Sequence, residues 1–296
     1  MIAVTGAGGF IGRAICEALR ARNHRVITIG RGPVADISWP VGDAEFDELA
    51  LARLAGARAV VHLAGESIGV RWTEARKREI FDSRAGLTAR LTRAIARLDP
   101  RPAVLLSASA VGYYGDRGDD WLEESSAPGA DFLAGVTRAW EVATTPAREA
   151  GVRVVQMRIG IVFGPGGGML ARVRLPFSIG LGGRIGSGRQ WMSWIAVGDL
   201  IRFVVRAIDD AAIEGPVNVV SPSPVRNVEF TAALGAALHR PAVIPVPAFA
   251  LRALFGEMAD GVLLASQRVR PARLLAAGFA FDQPTLDGAL RAALTP

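Results

Sequence analysis

Three sets of residues have the types and spacing to do chemistry. The first is Thr5-Gly6-Ala7-Gly8-Gly9-Phe10-Ile11-Gly12. Such a glycine run between a strand and a helix cradles a dinucleotide pyrophosphate. Gly6 allows the tight turn, Gly9 lets backbone approach the phosphates without a Cβ, and Gly12 lets the helix pack close to the sheet. Phe10 and Ile11 open that helix, and its positive end faces the phosphates. The second strand ends in Ile29-Gly30-Arg31, and the nearest acid downstream is Asp36. An acid at the strand end would bind ribose hydroxyls and favour NAD; Arg31 suits a 2′-phosphate and favours NADP. The second set is the hydroxyls of Ser109, Tyr113 and Tyr114, which follow a strand. A tyrosine above the carboxyl edge of a parallel sheet could give a proton to a carbonyl, or only shape a pocket. The third set is Arg189, Gln190, Trp191 and Trp194 after a glycine-rich stretch, with Arg226 further on. Aromatic walls with arginines suit a polar or anionic small molecule. The same tryptophans would also fit a core, and Arg189 a local ion pair.

The elements that must position these residues follow from periodicity. Residues 2–5 are apolar and β-prone, and 10–22 carry Ile11, Ala14, Ile15 and Leu19 at helical spacing. Further strands are expected at 26–29, 59–63, 104–107 and 152–157, and helices at 73–98 and 131–150. Strands alternating with helices imply a parallel sheet with helices on both faces, and continuous apolar strands fit one covered on both sides. The expected fold is α/β, a Rossmann-type doubly wound parallel sheet with a smaller C-terminal substrate-side region. In the less regular second half, Asp199 is placed to cap a helix to about 208. A short strand is expected at 217–220 and a helix at 229–238. The prolines of 241–247 disfavour a central strand and suggest a connector into a helical C-terminal piece. The division expected is 1–240, with substrate-side loops at about 164–195, and 241–296.

Composition narrows the classes. With 296 residues, half of them hydrophobic, the chain can bury one large core. No run of eighteen apolar residues suggests a membrane helix, and residues 1–4 read as a strand, not a signal peptide. Cys16 is the only cysteine, which excludes an internal disulfide and a zinc site built on several thiolates. His24, His62 and His239 are scattered, and no metal is expected. A cytoplasmic setting is expected. The net charge is +6, but the arginines are spread along the chain. The cluster Arg76-Lys77-Arg78 lies beside Glu74 and Glu79 and reads as a solvated helix face, so a small molecule is the expected partner and nucleic acid is not.

The glycine motif, Val61-His62-Leu63-Ala64-Gly65-Glu66, Ser83-Arg84 and Gly112-Tyr113-Tyr114-Gly115-Asp116 resemble the extended short-chain dehydrogenase/reductase superfamily. Gly180-Leu181-Gly182-Gly183, Ile185-Gly186-Ser187-Gly188-Arg189-Gln190, Trp194-Ile195 with Asp199, and Gln267-Arg268-Val269 with Pro271 resemble its atypical epimerase branch, the YfcH-like proteins. Asn218, Val219 and Pro222 fit the same branch. The resemblance implies cofactor contacts at Leu63, Ala64, Glu79, Arg84 and Val162, and a substrate-orienting role for Ser109. Active members of the superfamily use a Tyr-x-x-x-Lys pair, one helical turn apart so that both face the cofactor. Here Lys77 is the only lysine and Tyr113 and Tyr114 the only tyrosines; Leu133 and Thr137 stand where the pair aligns, counting back from Glu141. Two expectations follow. One is an NADP-dependent oxidoreductase or epimerase acting on a small carbonyl or sugar-like substrate. The other is a non-catalytic NADP-binding redox sensor or interaction protein.

Overall fold

Alternating apolar strands and amphipathic helices produce the expected layers. A computed structural model describes residues 1–32, 34–40, 42 and 44–294. In chain order the strands are β1 (Ile2–Thr5), β2 (Val26–Gly30), β3 (Ile37–Ser38), β4 (Ala59–His62), β5 (Val104–Ala110), β6 (Trp121–Leu122), β7 (Arg153–Ile159), β8 (Ile161–Phe163), β9 (Trp191–Met192), β10 (Trp194–Ala196), β11 (Gly215–Val219), β12 (Val225–Arg226) and β13 (Arg268–Val269). Seven form one sheet in the order β11-β7-β5-β4-β1-β2-β3, every pair parallel. The chain runs outward from β1 through β2 to β3, then returns to the other side of β1 at β4. The switch point therefore lies between β1 and β4, where ligands of open α/β sheets bind.

The helices are α1 (Phe10–Ala21), α2 (Glu48–Leu54), α3 (Glu74–Phe81), α4 (Leu87–Arg97), α5 (Phe132–Val142), α6 (Thr145–Glu149), α7 (Gly168–Ser178), α8 (Val197–Asp209), α9 (Asn227–Ala237), α10 (Ala248–Phe255), α11 (Ala272–Ala276) and α12 (Leu286–Leu294). Strand alternation divides the core. Val4, Val61, Leu106 and Val155 face Leu19 of α1 and Phe203 of α8. Ala3, Val60, Leu105 and Val154 face Leu51 of α2, Leu91 of α4 and Ala147 of α6. The helix expected at 73–98 is one rod, α3 running into α4 through a π-helical turn at Asp82–Gly86. The helix expected at 131–150 breaks after Val142, because Pro146 lacks the N–H that a continuing helix needs and suits the first turn of α6.

Two expectations in the second half are corrected. Asp199 sits inside the first turn of α8, not at its cap, and its carboxylate accepts the backbone N–H groups of Asp282 (2.7 Å) and Gln283 (3.0 Å). The proline-rich stretch is more than a connector: Ile244 and Val246 donate their N–H groups to the carbonyls of Gly182 and Arg184. The described residues beyond 241 close no core of their own. Met258 packs with Trp72, Ile80 and Leu133, and Val269 with Tyr114. Leu274 and Phe279 join the α1/α8 layer, and Leu286 and Leu290 join Phe163 and Trp194. Among the described residues no helix is long and apolar enough to cross a membrane.

Candidate functional site

The carboxyl edge of the sheet has two halves. At the first, β1 ends in Thr5, whose hydroxyl oxygen accepts the N–H groups of Leu63 (3.0 Å) and Ala64 (3.2 Å) beyond β4. That oxygen also lies 2.7 Å from His62 Nδ1, and His62 Nε2 lies 2.8 Å from Thr88 Oγ1. A hydroxyl that already accepts two N–H groups gives its one proton to Nδ1, which leaves the imidazole proton on Nε2 for Thr88. Burial pushes His62 down to about 4, so it is a neutral brace at pH 7.

The glycine turn rests on this brace. Gly6 has φ +67°, and a Cβ there would meet the backbone of Leu63 at 2.9 Å. A Cβ on Gly12 would lie 2.1 Å from the Gly6 carbonyl, so α1 approaches the turn as closely as only glycine allows. Gly9 is the N-cap of α1; no side chain caps it and the first turn holds no acid. The positive end of α1 is thus left for an outside anion, and Gly8 and Gly9 are exposed beside it. Phe10 packs against the second glycine loop: a Cβ on Gly167 would lie 2.2 Å from its ring.

Arg31 stands at the end of β2, 79% exposed, and pairs with Glu66 at 2.7 Å. Arg76 reaches Glu66 at 3.7 Å and Glu79 at 2.7 Å. The hydrogen bond from Arg31 holds the Glu66 carboxyl below the usual carboxylate range, with Arg76 and Arg84 adding to it. Arg84 spends its N–H groups on the carbonyls of Glu66 (2.9 Å) and Ile80 (3.3 Å) and lies over the Trp140 ring. Burial lowers it to about 10. Of the expected contacts, Leu63, Ala64, Gly6, Gly9 and Arg31 line this half. Arg84 shapes the loop beneath it, Glu79 is turned to Arg76, and Val162 is buried in β8.

The second half lies over β5, β7 and β11. The parallel register sets Ser109, Arg158 and Asn218 abreast. Ser109 Oγ donates to Glu141 Oε1 at 2.8 Å, and Arg158 grips both oxygens of Glu141 at 2.8 and 2.9 Å. Arg158 Nη1 donates to the Tyr114 hydroxyl (3.1 Å), which donates to Asn218 Oδ1 (2.6 Å). The Arg158 guanidinium also lies 3.5 Å from the centroid of the Tyr113 ring. Tyr114 is wholly buried, and burial pushes its phenol up to about 12. The expectation for Tyr114 is therefore corrected, since its hydroxyl is committed to the interior. The Tyr113 hydroxyl has no partner among the described residues and is not enclosed.

Leu133 and Thr137, aligned in sequence with the superfamily's Tyr and Lys, both lie on α5. Leu133 is buried against Met258, and the Thr137 hydroxyl bonds back to the carbonyls of Leu133 and Ala134. Lys77 pairs with Glu257 at 2.5 Å and lies 3.6 Å from Glu74.

Trp194 does not line a pocket: it is fully buried, stacks on Phe163 and donates to the carbonyl of Ser223. Gln190 is also inside, bonded to the carbonyls of Ile185 and Leu263. Arg226 pairs with Asp119 at 3.0 Å, while Arg189 is exposed. Glu141 escaped the sequence reading as a participant. The available signal was Arg158, a charge inside an otherwise buried strand, which demands a buried partner.

Comparison with known proteins agrees with this architecture. Residues 2–220 match the NAD dependent epimerase/dehydratase family, and 246–293 match a domain of unknown function, DUF1731. An epimerase family protein of Mycobacterium bovis is 45% identical over 299 residues, covering 100% of this chain and 98% of that protein. The crystal structure of the human epimerase family protein SDR39U1 with NADPH superposes with a TM-score of 0.89 at 34% identity, covering 99% of this chain and 98% of that one. A nucleoside-diphosphate sugar epimerase from Corynebacterium glutamicum gives 0.81 at 37% identity, over 99% of this chain and 57% of that longer one. With a family match across most of its length and relatives over nearly all of it, the chain belongs to the NAD dependent epimerase/dehydratase family and carries the DUF1731 domain at its C-terminal end.

Proposed function

We propose that this protein binds NADP(H) and is an oxidoreductase or epimerase-like enzyme acting on a small carbonyl or sugar-like molecule. The observation that carries the cofactor reading is the uncapped end of α1 at the glycine turn, with Arg31 in place of an acid at the end of β2. The residues present fit the cofactor: backbone N–H groups for the pyrophosphate and a guanidinium for the 2′-phosphate. The human relative crystallised with NADPH supports the same choice. When bound, the cofactor supplies the hydride.

The chain supplies orientation and a proton. Tyr113 is the one phenol at this edge free to donate to a carbonyl oxygen, and Arg158 beneath its ring fixes its position. The Ser109 proton is engaged by Glu141, so Ser109 meets a substrate as an acceptor. A second reading, a non-catalytic NADP sensor, is favoured by Leu133 sealed under Met258 where the usual tyrosine would stand.

Calorimetry of NADPH and NADH with the wild type and Arg31→Ala tests the cofactor reading. The substitution is expected to weaken NADPH by about 1–3 kcal/mol, the scale of charge-assisted hydrogen bonds, and to leave NADH nearly unchanged. Equal losses for both would refute the role of Arg31. Once a reducible substrate is found, Tyr113→Phe should cost roughly a hundred- to ten-thousand-fold in turnover with NADPH affinity intact. Full turnover in that variant would remove Tyr113 from the chemistry.

A further inference from the structure

Four side chains from four short strands form a stack. The pairing of β6 with β13 sets Arg268 beside Trp121, and the pairing of β9 with β12 sets Arg226 beside Trp191. The N–H of Gln267 joins the two ribbons by donating to the Trp191 carbonyl. The Arg268 guanidinium carbon lies 4.0 Å from the centroid of the Trp121 ring and 4.2 Å from that of Trp191; Arg226 lies 4.5 Å from Trp191.

The two arginines differ in how they are neutralised. Arg226 donates to Asp119 Oδ1 and to the Arg189 carbonyl, and the Trp191 indole N–H also donates to Asp119 at 2.8 Å. Arg268 has neither ion pair nor hydrogen bond among the described residues, and its Nε is buried without a partner. Indole rings attract a cation to their faces but give nothing to its N–H edge. The rings cover the guanidinium faces and Nε is enclosed without an acceptor, while Nη1 and Nη2 are not enclosed and leave an open donor edge. Beside it, Asp119 carries the charge of Arg226, with which it pairs at 3.0 Å, and also feels that of Arg189, so it leaves Arg268 without an ion pair. Trp121, one wall of the stack, is half exposed.

We propose that this stack is an oxyanion site, in which the N–H edge of Arg268 holds a carboxylate or phosphate group of a small molecule and Arg189 supplies the second charge. Planar forked donors match the paired oxygens of such groups, and the rings hold the fork in place beforehand. The proposal deepens the substrate reading above, and rests on it only in taking the anion to belong to the molecule turned over.

The test reads binding, not turnover. Inorganic phosphate and, separately, acetate are titrated calorimetrically into the full-length protein and into Arg268→Met, Arg189→Gln and Arg31→Ala. Saturable binding of at least one anion is expected in the wild type. Arg268→Met should weaken it about tenfold or more and Arg189→Gln by a few-fold, with Arg31→Ala unchanged, the scale of a lost charge-assisted fork. Saturation by phosphate alone points to a phosphate ester, and by acetate alone to a carboxylic acid. NADPH affinity should be unchanged in Arg268→Met, which separates this site from the cofactor edge. No saturable binding, or binding lost in Arg31→Ala but kept in Arg268→Met and Arg189→Gln, overturns the proposal. Since Arg189 is exposed, its variant keeps the question decidable if Arg268→Met does not fold.

Discussion

The two halves of the carboxyl edge handle polar groups in opposite ways. At the glycine turn the backbone does the work: the end of α1 is uncapped, Gly8 and Gly9 are exposed, and the loop is braced from behind by Thr5 and His62. Over β5, β7 and β11 the side chains satisfy one another, with Ser109, Glu141, Arg158, Tyr114 and Asn218 joined in one buried chain of hydrogen bonds. The first half is arranged to receive a charge from outside; the second has already placed most of its charges inside. On the proposed reading, binding and chemistry are separable: Leu133 and Thr137, the positions aligned in sequence with the superfamily's Tyr and Lys, belong to the packing, and any reactivity falls to the few groups at the margin, Tyr113 first among them.

The largest effect should come from opening the closed half. Arg158 and Glu141 are 3% and 11% exposed, so Arg158→Met leaves a carboxylate buried with only the Ser109 hydroxyl to satisfy it. A loss of about 3–5 kcal/mol of stability is expected, the usual cost of orphaning a buried charge. The double variant Arg158→Met/Glu141→Leu should recover much of that loss, since it removes both charges. Denaturant unfolding of the three proteins measures this. If Arg158→Met unfolds like the wild type, the network is not a stabilising unit and the contrast between the two halves fails.

Next in size is a pH effect on the open half. His62 is held at about 4 by burial, against about 6.5 when unfolded. Above 6.5 the imidazole is neutral in both states and contributes no pH dependence. Below it the unfolded chain takes up a proton that the folded one resists, so stability falls between 6.5 and about 4, by roughly 3 kcal/mol in all. His62→Gln should flatten that part of the profile. Cofactor affinity of the folded protein should weaken only as the pH nears and passes 4, because a protonated Nδ1 no longer accepts from Thr5, whose oxygen positions Leu63 and Ala64. A stability profile between pH 7 and 4 that is the same with and without His62 would remove it as the brace.

The same contrast explains what could be read in advance. Sheet, helices and glycine turn are local in origin: Ile2–Thr5, the turn and α1 are consecutive, and their spacing states their geometry. The Ser109 network draws on β5, α5, β7, β11 and the segment around Tyr114, and which side chains meet depends on register. Ser109 and Arg158 are neighbours only because β5 pairs with β7 at that offset. Trp194 and Arg226 looked like pocket walls because tryptophan and arginine favour binding sites and interiors alike. Only packing separates the two cases, with Trp194 sealed on Phe163 and Arg226 placed at the surface stack.

The smallest effect should sharpen the cofactor half, and it concerns Glu66. Its carboxylate holds Arg31 at 2.7 Å and also lies near Arg76. A 2′-phosphate approaching Arg31 must share or displace that carboxylate, and two anions competing for one fork repel each other. Arg31 is 79% exposed and Glu66 30%, so solvent screens the pair from the arginine side and holding it together is worth only about 0–1 kcal/mol. Glu66→Gln removes the competing charge but keeps the size of the side chain and a hydrogen-bonding oxygen. NADPH binding should therefore tighten by a factor of about five at most at low salt, NADH binding should hardly change, and the gain should shrink as salt screens the exposed charges. Calorimetry at two ionic strengths resolves a change of this size. A weaker NADPH complex in Glu66→Gln would reverse the assignment: Glu66 would then be the residue that aims Arg31, and the open half of the edge would be preorganised by a side chain as well as by backbone.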